Sequence, residues 1–224
     1  MRRKASKLKT KESEKSTPYY KLVLIGENEV GKTQLLHRMN EENFDEKYSP
    51  TFGLDFRIKS IFGDKGKHLA DLQIVDIAGD TDDIHSTIEN DFINDANAFL
   101  CLFDISNVYS LDKAIRIMEN YKNKISSDLN YKKWYLVGNK KDLDTKGNEV
   151  PNYYKTKFEN YFEISTKTSK DEVFQRMIRD ITHDLNLSER ENKNINIDNI
   201  ESLSQSQNRQ IEIDNLFNEE CKVF

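Results

Sequence analysis

Apolar and polar positions along this chain follow two alternating periods. From Tyr20 the continuous apolar run Leu22-Val23-Leu24-Ile25 leads into a glycine-bounded loop, and helical spacing then continues to about Asn40. Residues Asp55 to Phe62 and Leu69 to Val75 alternate apolar with polar around the turn Gly63-Asp64-Lys65-Gly66, which predicts a hairpin. Ala98 to Phe103 and Trp134 to Val137 are unbroken apolar runs of strand length, the pattern of strands buried on both faces. Between them Leu111, Ile115, Met118 and Ile125 keep helical spacing. A short strand is predicted at Tyr161 to Ile164. A helix follows from about Ser169 to Leu185, with Val173, Phe174, Met177, Ile178, Ile181 and Leu185 on one stripe. Strands alternating with helices imply an α/β sheet, mostly parallel, with its ligand at the carboxyl ends of the strands.

The two ends of the chain read differently. Residues 1 to 18 lack apolar periodicity and are rich in Lys, Ser and Thr, so they are predicted to be a disordered basic arm. Beyond Leu187 the composition shifts to Asn, Ser, Gln and Glu, and 188 to 224 are predicted to be a disordered acidic tail. The expected globular domain is therefore 19 to 187. Charge sharpens this picture. Residues 1 to 17 hold seven Lys or Arg against two Glu, whereas 188 to 224 hold eight acidic against four basic side chains, within a net charge of -5. A mildly acidic middle argues against a nucleic-acid partner. No apolar run approaches the length needed to span a bilayer, and the N-terminus lacks the apolar segment of a secretory signal. The expected location is the cytosol or a cytosolic face. The last four residues, Cys221-Lys222-Val223-Phe224, fit a prenylation box, and a terminal Phe favours geranylgeranyl. A single lipid binds membranes only marginally, so the basic arm is the candidate second signal.

Candidate chemistry centres on Gly26-Glu27-Asn28-Glu29-Val30-Gly31-Lys32-Thr33, which reads G-x-x-x-x-G-K-T between a predicted strand and a predicted helix. Glycines let the backbone curl around phosphates, amides point inward, and a helix N-terminus favours an anion. Lys32 is expected to reach the outer phosphates and the Thr33 hydroxyl to hold Mg²⁺. Asn139-Lys140-Lys141-Asp142 follows the Trp134 strand. A carboxylate accepting two N–H bonds from a guanine edge leaves adenine poorly paired, so the expected base is guanine.

With Asp76-Ile77-Ala78-Gly79 at a strand end and Ile164-Ser165-Thr166-Lys167 before the last helix, these motifs resemble the Ras-superfamily small GTPases. Thr51-Phe52-Gly53-Leu54-Asp55-Phe56 is similar to the segment after switch I in the Rab group. The resemblance covers about Tyr19 to Leu187. It implies a P-loop NTPase fold, with a six-stranded, mostly parallel sheet and helices on both faces. It further implies that the amides of Glu29, Val30, Gly31, Lys32, Thr33 and Gln34 surround the phosphates of GTP or GDP. Thr33 and Thr51 would ligate Mg²⁺, and Asp76 would reach the metal through water. Thr51 and the Gly79 amide would sense the γ-phosphate and order two switch loops. Phe44 would pack on the purine, Asn139 and Asp142 would read guanine, Lys140 would stack along it, and Ser165, Thr166 and Lys167 would close over it. The implied partners are an exchange factor, an activating protein, effectors, and a membrane reached through Cys221 and the basic arm.

Several positions depart from the family pattern. Val75 stands where the Rab group usually has Trp, and one cysteine, not two, lies near the end. Asp80 follows Gly79 where the family has the Gln that orients the attacking water. Asn28 and Glu29 occupy loop positions where the family prefers small residues. With Lys32, Gly79 and Asp80 as the catalytic set, slow intrinsic GTP hydrolysis is expected. Two readings stay open: a slow GTP/GDP switch in trafficking or signalling, and a GTP-binding interaction module with negligible hydrolysis.

Overall fold

The structure, a computed structural model, describes residues 17–46, 51, 53–77, 93–125 and 131–191. The basic arm up to residue 16, the tail from 192 with Cys221, and the segment containing Gly79 and Asp80 lie outside the described residues.

Strand β1 (Tyr19–Gly26) leads into helix α1 (Lys32–Met39), followed by β2 (Leu54–Phe62), β3 (His68–Ile77) and β4 (Ala98–Asp104). Helix α2 (Val108–Lys124), β5 (Lys133–Asn139), the single turn α3 (Asn152–Lys155), β6 (Asn160–Glu163) and a last helix α4, residues 171–191, complete the order. The six strands form one sheet in the order β2-β3-β1-β4-β5-β6. Every pairing is parallel except β2 with β3, which is the antiparallel hairpin expected from the alternation. Its turn holds Lys65 and Gly66 at φ 59° and 72°, and Gly63 N–H donates to Lys67 O at 2.8 Å.

The alternation within β1 explains both layers. Leu22 and Leu24 face one side, where Leu35, Leu36 and Met39 of α1 and Phe174, Met177, Ile178, Ile181 and Leu185 of α4 cover them. Val23 and Ile25 face the other side, against Leu111, Ala114, Ile115 and Met118 of α2. The run is apolar throughout because neither face meets water. On the α2 side Phe99 stacks on Trp134 with ring centroids 4.3 Å apart.

Helix α4 departs from expectation at both ends of its stripe. Val173 is 39% exposed, so the packed stripe begins at Phe174. The helix also continues past Leu187 to 191, because the buried Tyr20 hydroxyl lies 2.9 Å from Asn186 Oδ1 and 2.8 Å from Glu189 Oε2 and docks the last turn on β1. Apolar periodicity cannot report such a polar tether. Among the described residues no helix is long and apolar enough to cross a membrane.

Phe174 is completely buried, with the Arg38 guanidinium 5.0 Å above its ring. Phe174→Ala should lower the unfolding free energy in urea by about 3–5 kcal/mol. A loss below about 1 kcal/mol would show that α4 is not part of the cooperative core.

Candidate nucleotide-binding site

The chain winds away from β1 in both directions across the sheet, and a cavity of about 550 Å³ opens at the carboxyl end of β1. That is the crevice a doubly wound sheet leaves for a ligand. One wall is the loop between β1 and α1. Gly26, at φ 151°, has no room for a side chain, since a Cβ there would lie 2.5 Å from Leu102 O. Gly31, at φ 95°, would place a Cβ 2.4 Å from Asn139 Nδ2. Glu29 adopts a left-handed φ of 65°, unusual for a residue with a side chain. No side chain caps α1, so its N-terminal amides remain for an anion.

Lys32 arches back over this loop, donating from Nζ to Gly26 O and Glu27 O at 3.0 Å each. It is 7% exposed, and burial pushes its ammonium below the ordinary range, partly offset by Asp76 and Glu27. Lys113 of α2 pairs with the Glu27 carboxylate and holds the loop from outside.

Three oxygens meet beside Lys32. Thr33 Oγ1 donates to Asp76 Oδ2 at 2.5 Å, Thr51 Oγ1 donates to the same oxygen at 3.2 Å, and the two hydroxyls lie 2.8 Å apart. Asp76 has no exposed surface, and burial raises its carboxyl above the usual range despite these bonds. Its Oδ1 has no hydrogen-bond partner. A buried carboxylate oxygen without a partner beside two hydroxyls is a hard-oxygen donor set, which fits a small divalent cation such as Mg²⁺.

The opposite wall is built from the end of β5 and the loop before α4. Asn139 is wholly buried; its Nδ2 donates to Val30 O at 2.8 Å and to Thr166 Oγ1 at 3.3 Å, while its Oδ1 accepts from Thr166 N at 3.0 Å. The structure therefore makes Asn139 a strut between the two loops, a role the motif alone does not reveal. Asp142 is exposed at the cavity, and the Ser165 hydroxyl fixes its orientation by donating to Oδ1 at 2.5 Å. Lys140, at φ 61°, lays its stem along the cavity with Nζ 2.9 Å from Asp104 Oδ2. Phe44 faces the opening, with Lys167 Nζ 5.9 Å from its ring centroid.

Glu29, Gly31, Lys32, Thr33, Gln34, Phe44, Thr51, Asn139, Lys140, Asp142, Thr166 and Lys167 all line this one cavity. Val30, Asp76 and Ser165 stand behind its lining and act through the bonds just described. Sequence reasoning passed over His37, Asp45, Glu46 and Leu143, which also line it. Only their neighbours carry a motif.

Fold and site together define a nucleotide-binding protein of the P-loop class. Residues 21–183 match the Ras family, and the chain belongs to it. It is similar to the Ras-related protein Rab-8 of Diplobatis ommata, 34% identical over 182 residues that cover 77% of this chain and 82% of the relative. Human Rab-8B is 35% identical over 176 residues, covering 75% and 80%. The Ras-related protein RABE1e of Arabidopsis thaliana is 33% identical over 179 residues, covering 75% and 78%. The protein is a Rab-like member of the Ras superfamily.

The division of labour between Asn139 and Asp142 is testable without ligand. Asn139→Ala strands the buried Val30 carbonyl and Thr166 amide and should cost about 1–3 kcal/mol for each group in urea unfolding. Asp142→Ala should cost about 1 kcal/mol or less, since only the bond from Ser165 is lost. Equal losses would reject the strut.

Proposed function

We propose that this chain is a GTP/GDP switch tethered to the cytosolic face of a membrane, in trafficking or signalling, with slow intrinsic hydrolysis of GTP to GDP and phosphate. The observation that carries the reading is the Asp142 carboxylate, held by Ser165 at the mouth of a cavity whose far end is lined by Lys32 and the uncapped start of α1. Amides from Glu29 to Gln34 and the Lys32 ammonium bind the phosphates. Thr33, Thr51 and Asp76 hold Mg²⁺, which when bound neutralises phosphate charge. Phe44, Lys140 and Lys167 flank the purine, Asp142 accepts the guanine N–H groups, and Asn139, Ser165 and Thr166 keep that wall in place. Thr51 and the Gly79 amide respond to the γ-phosphate and order the surface that effectors read.

The departures set the rate. Asp80 lacks the donor and acceptor pair of Gln, and its charge opposes the anionic transition state. The Glu29 carboxylate beside the phosphate wall weakens binding and speeds exchange by like-charge repulsion. These two residues also favour the second reading, a GTP-binding module that hydrolyses negligibly.

Membrane attachment runs through Cys221 and the basic arm. Its geometric support is that both ends of the described domain leave at one pole. Thr17 lies beside His68 at the turn end of the β2–β3 hairpin, and the last turn of α4 is docked on Tyr20. The six-residue step from Tyr20 to Gly26 puts the cavity about 20 Å away along β1. A bilayer at this pole leaves the cavity mouth open to partners.

Single-turnover hydrolysis of GTP preloaded on the full chain with Mg²⁺ tests the slow switch. The native chain should be slow and Asp80→Gln faster, with GTP but not ATP competing for the site. Equal rates would reject the role given to Asp80, and competition by ATP would reject the guanine reading.

The geranylgeranylated chain should bind anionic vesicles more tightly than neutral ones. Replacing Arg2, Arg3, Lys4 and Lys7 with Gln should weaken that binding at least about tenfold. Unchanged binding would remove the arm from the anchor.

A further inference from the structure

We propose that Glu46 is a latch on the nucleotide cavity: its ion pair with Lys167 closes the segment 42–46 over the purine and sets how fast bound nucleotide leaves. The inference rests on the nucleotide reading above and concerns a residue that carries no motif.

The cavity mouth has two unlike sides. The side carrying Lys167 is fixed by a series of bonds, with Thr166 N donating to the buried Asn139 Oδ1, Thr168 N to Ser165 Oγ at 3.0 Å, and Ser169 N to Ser165 O at 2.9 Å. The facing side is the irregular segment after α1, which is exposed apart from the half-buried Phe44. It is strapped down at successive points. Glu42 pairs with Arg57 of β2 at 3.1 Å, and Asp45 N donates to the Gln34 side chain of α1 at 3.0 Å. At its outer end Glu46 Oε1 reaches across the mouth to Lys167 Nζ at 3.3 Å. The same ammonium lies 5.9 Å from the Phe44 ring centroid, so one cation joins the aromatic flank to the latch. Closing this contact brings both purine flanks together, and opening it frees the outer edge of the base.

The strength of the contact suits a latch that must release. Lys167 and Glu46 side chains are 53% and 79% exposed, so solvent screens most of their attraction. Exposed pairs of this kind contribute little, enough here for about a two- to fivefold change in release rate. Salt should weaken it further, since the screening length falls from about 10 Å at 0.1 M to about 3 Å at 1 M. A partner that offers a cation to Glu46 or an anion to Lys167 opens the mouth by the same exchange.

The test preloads the full chain with a fluorescent GDP analogue and follows its release into excess unlabelled GDP at low and high salt. Glu46→Gln should release the analogue about two to five times faster at low salt and lose most of the salt dependence shown by the native chain. Glu46→Lys, which sets two ammonium groups against each other and leaves Lys167 in place, should release faster still at low salt. Its release should slow as salt rises, opposite in sign to the native response, a reversal that loss of packing alone would not show. Native-like release and salt response in Glu46→Gln would overturn the latch, as would a Glu46→Lys chain whose release does not slow as salt rises. A native chain that retains no analogue at all would instead overturn the nucleotide reading, and the latch with it.

Discussion

The carboxamide of Asn139 has no exposed surface, yet it joins three segments far apart in sequence: the loop between β1 and α1 through Val30 O, the end of β5, and the loop before α4 through Thr166. This one side chain links both sides of the cavity. The same crowding forbids a side chain at Gly31, whose Cβ would press on the carboxamide nitrogen. Loop curvature and the opposite wall are thus a single constraint. The cavity keeps its width because a buried amide with its bonds made is costly to displace.

Charge within the site is costly to the fold. Lys32 and Asp76 are both buried; burial lowers the affinity of the first for its proton and raises that of the second. The unpartnered Asp76 Oδ1 adds to the cost. A polyanion and a divalent cation are the species that relieve both groups at once, so the site sets aside local stability for ligand. Asp142 differs, since it stays exposed and is only aimed by Ser165. The charged groups beside the β1–α1 loop are buried; the Asp142 carboxylate is held at the rim.

The molecule is polar in its layout. Strand carboxyl ends carry the cavity, and the opposite end carries both chain exits, with Tyr20 fastening the last turn of α4 there. Between these poles the sheet is covered on one face by α1 and α4 and on the other by α2. This core backs the loop wall of the cavity through the buried Val30, while the exposed segment 42–46 on the facing side is held by contacts from Arg57, Gln34 and Lys167.

The sequence by itself determined the fold class and the cavity's main contributors, because both rest on local patterns. Unbroken apolar runs mark strands buried on two faces, and a glycine loop between a strand and a helix binds phosphate through its own backbone. It determined the antiparallel hairpin for the same reason, alternation around a short turn. Only the tertiary structure decided that Asn139 is a strut, that α4 runs on to 191, that Val173 faces solvent, and that Glu46 reaches Lys167. Each depends on a polar contact or a packing partner distant in sequence: Asn139 to Val30, Tyr20 to Glu189, Glu46 to Lys167. Periodicity reports which face of an element is apolar; it does not report which polar group waits on the other side of the fold.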